Sequence, residues 1–334
     1  MAFWSARAER SGDGALDCTR NMQSGVSECI GIAGALQIFV LTLATLSLFA
    51  CSRPQTNQTA SSPTHEVTDE AGRRVVLPIK IDRIVSLAPN LTEIVYAVGA
   101  GDRLVGRTSY CDYPPQAKSV TAVGDTMKPS IERIIALKPQ VVLVSTSSQL
   151  ETFTKQLDEQ GIAVYVTNPQ SLDAVFDSIG RLGSLLNPDG DARRLVESLR
   201  SRTQQVEERL KTVQSVRVFY QVSDEPLYTI GRDAYLTDLI KRAGGISVTA
   251  DVPTAFPRFS DEVALASKPD TIILPTGGSM GNANSNVAAA LKTSPAALNN
   301  RVYKINDDLL SRPGPRLVDG LEQLARALHP EVFR

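Results

Sequence analysis

Histidine is scarce in this chain of 334 residues: there are two, His65 and His329, far apart in the sequence. That scarcity argues against a zinc- or manganese-capture protein, whose site needs imidazole ligands close together. It also leaves no well-placed general base, and no G-x-S-x-G elbow occurs, so an exported enzyme is the weakest reading of the sequence. An excess of positive charge is missing as well. With 35 basic and 36 acidic residues the formal net charge is −1, which offers no basic surface to a nucleic-acid backbone. A dinucleotide-binding fingerprint is lacking too, because Gly99-Ala100-Gly101 ends an apolar helical pattern where that motif must open one. Cysteine is limited to Cys18, Cys29, Cys51 and Cys111. The first two belong to an N-terminal leader and the third lies at its end, so no intrachain disulfide is expected in a processed chain.

One long hydrophobic run is present. Residues 30–50 (IGIAGALQIFVLTLATLSLFA) carry no charge, follow Arg7, Arg10 and Arg20, and stop at Cys51. A basic start, an apolar stretch and a small residue before the cut make residues 1–50 an export signal. Leu48-Phe49-Ala50-Cys51 resembles a bacterial lipobox, in which Cys51 is acylated and becomes the new N-terminus. An uncleaved membrane anchor is the alternative, since the run is long enough to span a bilayer. Both readings put the remainder outside the cytoplasm, lipid-anchored in the first. Met22 is an alternative start, although no Lys or Arg would then precede the run. Residues 51–66 are polar, include Pro54 and Pro63, and read as a flexible tether.

A chain of this length is enough for two lobes with separate cores, because single cores stop growing at roughly 250 to 300 residues. After a small hairpin over residues 67–78, strands alternate with helices. A strand over 83–87 leads to a helix capped by Asn90, and the pattern continues through strands over 140–145 and 162–166. It breaks at Asp189–Val213, which has no proline and sets Leu195, Val196, Leu199, Val206, Leu210 and Val213 on one helical face. A helix of that length would run roughly 37 Å. The prediction is an α/β fold: lobes over 67–187 and 215–334 with mainly parallel sheets, joined by one long rigid helix over 188–214.

SIERIIALKPQVVLV (130–144) and SDEVALASKPDTIIL (260–274) match at an offset of 130 positions, sharing Ser, Glu, Ala, Lys and Pro. Each reads as a helix opened by a Ser cap, stopped by proline and fed into a buried strand, which suggests a pseudo-twofold pair of lobes. Glu132 and Glu262 fall at the second helical position. There a carboxylate meets the positive end of the helix dipole, for about 0.3 to 1 kcal/mol. The alternative is a pair of acidic knobs that dock on basic sockets of a symmetric partner.

RIVSLAPNLTEIVYAVGAGDRLVG (83–106), SYCDYPPQ (109–116), SIERIIALKPQVV (130–142) and RPGPRLVDGLEQLARALHPE (312–331) together resemble the substrate-binding proteins of ABC importers for vitamin B12 and ferric siderophores. SYCDYPPQ is most similar to the vitamin B12-binding members. The resemblance implies a monomer that carries a corrinoid between its lobes, with a ferric siderophore or haem as alternatives, to a permease dimer and its ATPase. It implies permease docking by Glu132 and Glu262. It also implies a ligand pocket drawing on Tyr110, Asp112, Tyr113, Tyr228, Phe256, Arg312 and Arg316. Tyrosine offers an apolar face with a hydrogen-bonding tip, and the two guanidinium groups suit carbonyl, amide or phosphate oxygens. The corrinoid pocket of the family uses tryptophan, whereas Trp4 is the only one here and Thr126 stands where one ring is expected. A stand-alone scavenger without a permease is the reading from a third class.

Overall fold

A computed structural model describes residues 63–126, 128–145, 150–278 and 286–333. The expected leader, Cys51 and most of the tether lie outside the described residues. β1 (Thr64–Thr68) and β2 (Arg74–Pro78) form the hairpin, so the strand takes in the last residues assigned to the tether. Its turn covers the open edge of the first lobe. Asp69 accepts from the amides of Ala71, Arg73 and Val166, and the Glu70 amide donates to the Val166 carbonyl. Polar groups that would otherwise offer an edge for strand addition are thereby occupied.

The first lobe continues as β3 (Ile84–Ser86), α1 (Pro89–Ala97), β4 (Leu104–Arg107), α2 (Ile131–Ala136), β5 (Val141–Ser145), α3 (Leu150–Asp158), β6 (Ala163–Thr167) and α4 (Leu172–Leu186). Its sheet has the order β4-β3-β5-β6, all parallel. Two expectations are corrected here. Asn90 does not cap α1; Pro89 occupies the first turn after Ala88, where a missing N–H costs nothing. α4 was not anticipated, and it takes the place of a loop leading to the connector.

The connector itself, α5 (Ala192–Leu210), has 19 residues, about 28 Å, shorter than expected because Asn187–Asp191 turn the chain between two helices. The second lobe follows: β7 (Val216–Asp224), β8 (Leu227–Thr229), α6 (Tyr235–Arg242), β9 (Gly245–Ser247), α7 (Asp261–Ala266), β10 (Thr271–Thr276), α8 (Pro295–Leu298), β11 (Val302–Asn306), α9 (Asp307–Leu310) and α10 (Leu317–Leu328). β11, β10, β7 and β9 are parallel, and β8 turns back antiparallel on β7.

The 130-residue offset is structural. Ser130 and Ser260 each accept from the amide three residues on, both at 3.3 Å. Lys138 and Lys268 both take left-handed backbone, with φ of 47° and 43°, before their prolines. Arg83 and Arg217 donate to the final carbonyls of the two helices, Leu137 and Ser267, each with a contact of 2.6 Å. The two units are built alike down to the groups that close their helices.

Side chains along the central strands alternate between two environments, as the period of a strand requires. Val141 and Leu143 face a core shared by both lobes, while Val142 and Val144 face the outside layer of the first lobe. Ile273 joins the shared core and Ile272 and Leu274 the outer layer of the second. Leu91 and Ile94 of α1, Leu199 and Val206 of α5, and Leu239 and Leu324 of the second lobe all belong to that one shared core. This replaces the expected separate cores: the connector helix lies between the lobes and is covered by both. On its polar side Arg202 pairs with Asp319 and Glu322 of α10, and Arg242 of α6 reaches Glu207 of α5 and Asp173 of α4. Leu199→Ala should therefore lower stability by about 2 to 5 kcal/mol, with near- and far-UV circular dichroism following one denaturation transition. Two separated transitions would contradict the shared core.

Candidate functional site

Loops leaving the C-terminal ends of parallel strands form the usual binding face of an open α/β sheet. Here Ala88–Asn90 follow β3, Thr126 follows β4, Ser145 ends β5 and Asn168–Gln170 follow β6, and together they line one side of a cavity of about 390 Å³. The opposite side comes from the second lobe: Asp233–Tyr235, Ala255, Phe256, Asp308 and Ser311–Pro313. A groove of about 850 Å³ beside α4 and α5 is larger but is lined only by the first lobe and the connector. The inter-lobe cavity is the candidate site because both halves of the repeat contribute to it. Thr126 and Phe256 themselves stand at the 130-residue offset.

Phe256 is 52% exposed at the cavity wall, which leaves an apolar ring open to a ligand there. Its loop is held firmly. The Asp233 carboxylate accepts from the Thr254 amide at 3.1 Å, and the amides of Gly231 and Arg232 donate to Ala255 and Val252. Thr254 has φ of 102°, a conformation that a β-branched residue adopts only under constraint. Gly231 is required, since a Cβ there would lie 2.2 Å from the Thr254 carbonyl oxygen.

Beneath the cavity the lobes meet in an ionic cluster. Glu93 of α1, with a side chain only 2% exposed, receives Arg316 Nε and Nη2 at 2.9 and 2.5 Å and Arg312 Nη1 at 3.1 Å. Arg312, itself 5% exposed, also reaches Asp112 at 2.9 Å and Asp308 at 2.7 Å. Burial disfavours the charged form of Arg316, but the hydrogen bonds and charge of Glu93 outweigh it and hold the guanidinium more basic than usual. Nearby, burial raises the Asp307 carboxyl above the ordinary range, with Asp308 adding to the effect and Ser311 and Arg312 opposing it.

Of the residues expected to contact ligand, Phe256 and Arg312 line the cavity. The guanidinium groups of Arg312 and Arg316, expected to reach cargo, are engaged by carboxylates of the two lobes, and Arg316 stacks on the Tyr113 ring at 3.8 Å. Asp112 belongs to the same cluster. Tyr110, Tyr113 and Tyr228 do not line the cavity; Tyr113 is 42% exposed, and Tyr228 bridges through its backbone to Arg258. Glu93, Asp233 and Asp308 were missed. Glu93 sits among apolar residues in the buried helix α1, a placement that calls for a cationic partner. The position of Asp233 just before α6 was the available signal for the second.

Glu132 and Glu262 are both exposed at the starts of α2 and α7. Glu132 is held below the ordinary carboxylate range by its backbone amide and by the Ser130 hydroxyl, which donates at 2.9 Å. Among the described residues no helix is long and apolar enough to cross a membrane.

Two α/β lobes of parallel sheet, closed on a fixed helix with the cavity between them, define a solute-binding protein of the helix-linked kind. The chain belongs to the periplasmic binding protein family, whose profile matches residues 84–309, and within it to the ABC transporter substrate-binding proteins. It is 33% identical over 307 residues to the uncharacterized ABC transporter substrate-binding lipoprotein YvrC of Bacillus subtilis (strain 168), covering 88% of this chain and 96% of that protein. It is 31% identical over 252 residues to the vitamin B12-binding protein of Vibrio cholerae, covering 75% and 90% of the two chains. Among solved structures, the periplasmic vitamin B12 binding protein BtuF of Vibrio cholerae superposes with a TM-score of 0.67 at 30% identity, over 77% of this chain and all of that one. The periplasmic heme-binding protein RhuT of Roseiflexus sp. RS-1 gives 0.65 at 25% identity, over 75% and 99%.

Removing Glu93 takes from Arg316 its carboxylate partner and from Arg312 one of three, leaving positive charge in a largely buried inter-lobe contact. Glu93→Ala should lower stability by about 3 to 5 kcal/mol, measured by chemical denaturation. Asp112→Ala should cost clearly less, because its carboxylate is one third exposed and screened by water. Equal losses would show that the cluster is held from its rim.

Proposed function

We propose that this protein captures a corrinoid in the inter-lobe cavity and delivers it to an ABC permease and its ATPase, as a lipid-anchored monomer outside the cytoplasm. The observation that carries the reading is the paired arrangement. In each lobe a cavity-lining residue, Thr126 or Phe256, stands four residues ahead of a Ser-capped helix bearing an exposed glutamate. Cargo and docking surfaces are thus coupled through one short segment per lobe. The names of the vitamin B12-binding relatives support the choice of cargo. A whole corrinoid is larger than the cavity, so it enters edge-on, with its ring against Phe256 and its remaining bulk outside the mouth.

Glu132 and Glu262 dock on basic residues of the two permease subunits, steering and orienting the encounter more than adding affinity. The Cys51 lipid keeps the protein at the membrane where that encounter occurs. Haem or a ferric siderophore is the second reading, favoured by Tyr113, a half-exposed tyrosine stacked on Arg316 of the inter-lobe cluster, since tyrosine is an oxygen ligand of ferric haem.

Titration of the protein lacking its leader with cyanocobalamin, haem and a ferric siderophore panel should give saturable binding for the corrinoid. Binding confined to haem or siderophores would overturn the cargo assignment. Glu132→Arg with Glu262→Arg should abolish cellular uptake while leaving ligand affinity unchanged; retained uptake would remove the permease from the account.

A further inference from the structure

The segment that carries Phe256 is stitched down along its length. Residues 251–259 run back beside 227–232, and the amides of Thr229, Gly231, Arg232 and Phe259 donate to the carbonyls of Pro257, Ala255, Val252 and Leu227. The Arg232 guanidinium donates to the Asp251 carbonyl at 2.8 Å. Within this set the Thr254 amide goes to a side chain, the carboxylate of Asp233.

What that bond holds is a backbone that threonine disfavours. At φ of 102° the branched side chain crowds its own peptide units, a strain that only the surroundings offset. Packing does not ask for threonine there. Its side chain is exposed, and its hydroxyl has no hydrogen-bond partner among the described residues. The internal repeat supplies a comparison. At the 130-residue offset the first lobe has Gly124, with φ of 122°, two residues ahead of Thr126 as Thr254 is two ahead of Phe256. Glycine adopts that region freely, so the first lobe needs no clamp for its turn. The scaffold demands the turn in both lobes, and the second builds it from a residue that leans out of it. Pro253 and Pro257 flank the segment with fixed φ, which concentrates its freedom at residues 254–256. Left to itself, Thr254 relaxes to negative φ, and the rotation carries Ala255 and Phe256 away from the cavity.

We infer that Asp233 is a positioning residue for cargo: by fixing the Thr254 amide it keeps a strained turn in place and so aims Phe256 at the cavity. Asp233 itself lines the cavity, so a direct contact with cargo is the competing explanation for any loss on its removal. The two differ in one respect. A clamp is needed only while residue 254 resists the turn, whereas a contact is needed whatever stands there. The inference rests on the reading of this cavity as the cargo site and adds the group that sets its apolar wall.

The test is a double-mutant cycle, read by calorimetric titration of the protein lacking its leader with cyanocobalamin, and with haem in parallel. Asp233 is exposed, so the fold should withstand its truncation, as denaturation midpoints of every form will check. Asp233→Ala should weaken binding about fivefold or more, the scale that release of such strain permits. In the Thr254→Gly background the same change should weaken it by about twofold at most, because glycine holds the turn unaided. Equal losses in both backgrounds would make Asp233 a direct contact and overturn the inference while leaving the cargo reading intact. So would wild-type affinity in Asp233→Ala, or loss of binding in Thr254→Gly alone. Unfolding of Asp233→Ala would also overturn it, since a clamp on one exposed loop does not carry the fold. Binding of haem alone would refute the corrinoid reading and leave the cycle to be read on haem. A wild-type protein that binds neither probe would overturn the cargo reading and this inference with it.

Discussion

A single carboxylate, that of Glu93, holds the two lobes in register. It is removed from water on a helix of the first lobe, and its charge is stable there only because Arg312 and Arg316 arrive from the second. A buried ion pair of this kind adds little net stability over an apolar contact, but breaking it is costly, since each unpaired charge would lie in a dry interface. The lobes cannot part along this seam without exposing the cluster. Combined with a hydrophobic core that runs through the connector helix into both sheets, it makes the cavity a property of the folded state. Capture then needs little rearrangement, and release must be driven from outside.

The internal repeat explains why the cavity has two matching sides and why its chemistry still differs between them. Serine caps, arginine-closed helix ends and left-handed lysines recur at one offset, so each lobe delivers its segment to the cavity in the same way. What each segment delivers has diverged. The first lobe offers Thr126 and the second offers Phe256, and the second adds Asp233 and Asp308. Symmetry of the scaffold suits a two-subunit partner, and asymmetry of the lining suits a cargo with one apolar face and a polar periphery.

Much of this was legible in the sequence where local rules decide the outcome. Ser130 and Ser260, with Lys-Pro closing each unit and an apolar run after it, specified helix and strand within a residue or two. Asn90 misled because a proline at the first helical position is as good an opening as a side-chain cap, and Pro89 precedes it. The connector came out shorter, and α4 was missed, because periodicity ran through Asn187–Asp191 without showing the turn between two packed helices. Separate cores were expected from length alone; which faces of α1 and α10 meet is a tertiary matter that no local pattern carries. The same limit applies to the site. Tyr113 and Arg316 were singled out from their motifs, but their contact spans two lobes, and Glu93 looked like an ordinary helical glutamate until its burial was known.

The claim of a preformed, clamped cavity is tested most directly by the distance between the two lobes in solution. In the protein lacking residues 1–51, and with them Cys18, Cys29 and Cys51, Ala136→Cys with Ala266→Cys places spin labels at equivalent exposed sites of the repeat, and Cys111 is buried and should not label. Pulsed electron resonance should give one narrow distance distribution that cyanocobalamin leaves unchanged, and a broadened one in Glu93→Ala. A large ligand-driven shift in the wild-type protein, with no change on removing Glu93, would contradict the account.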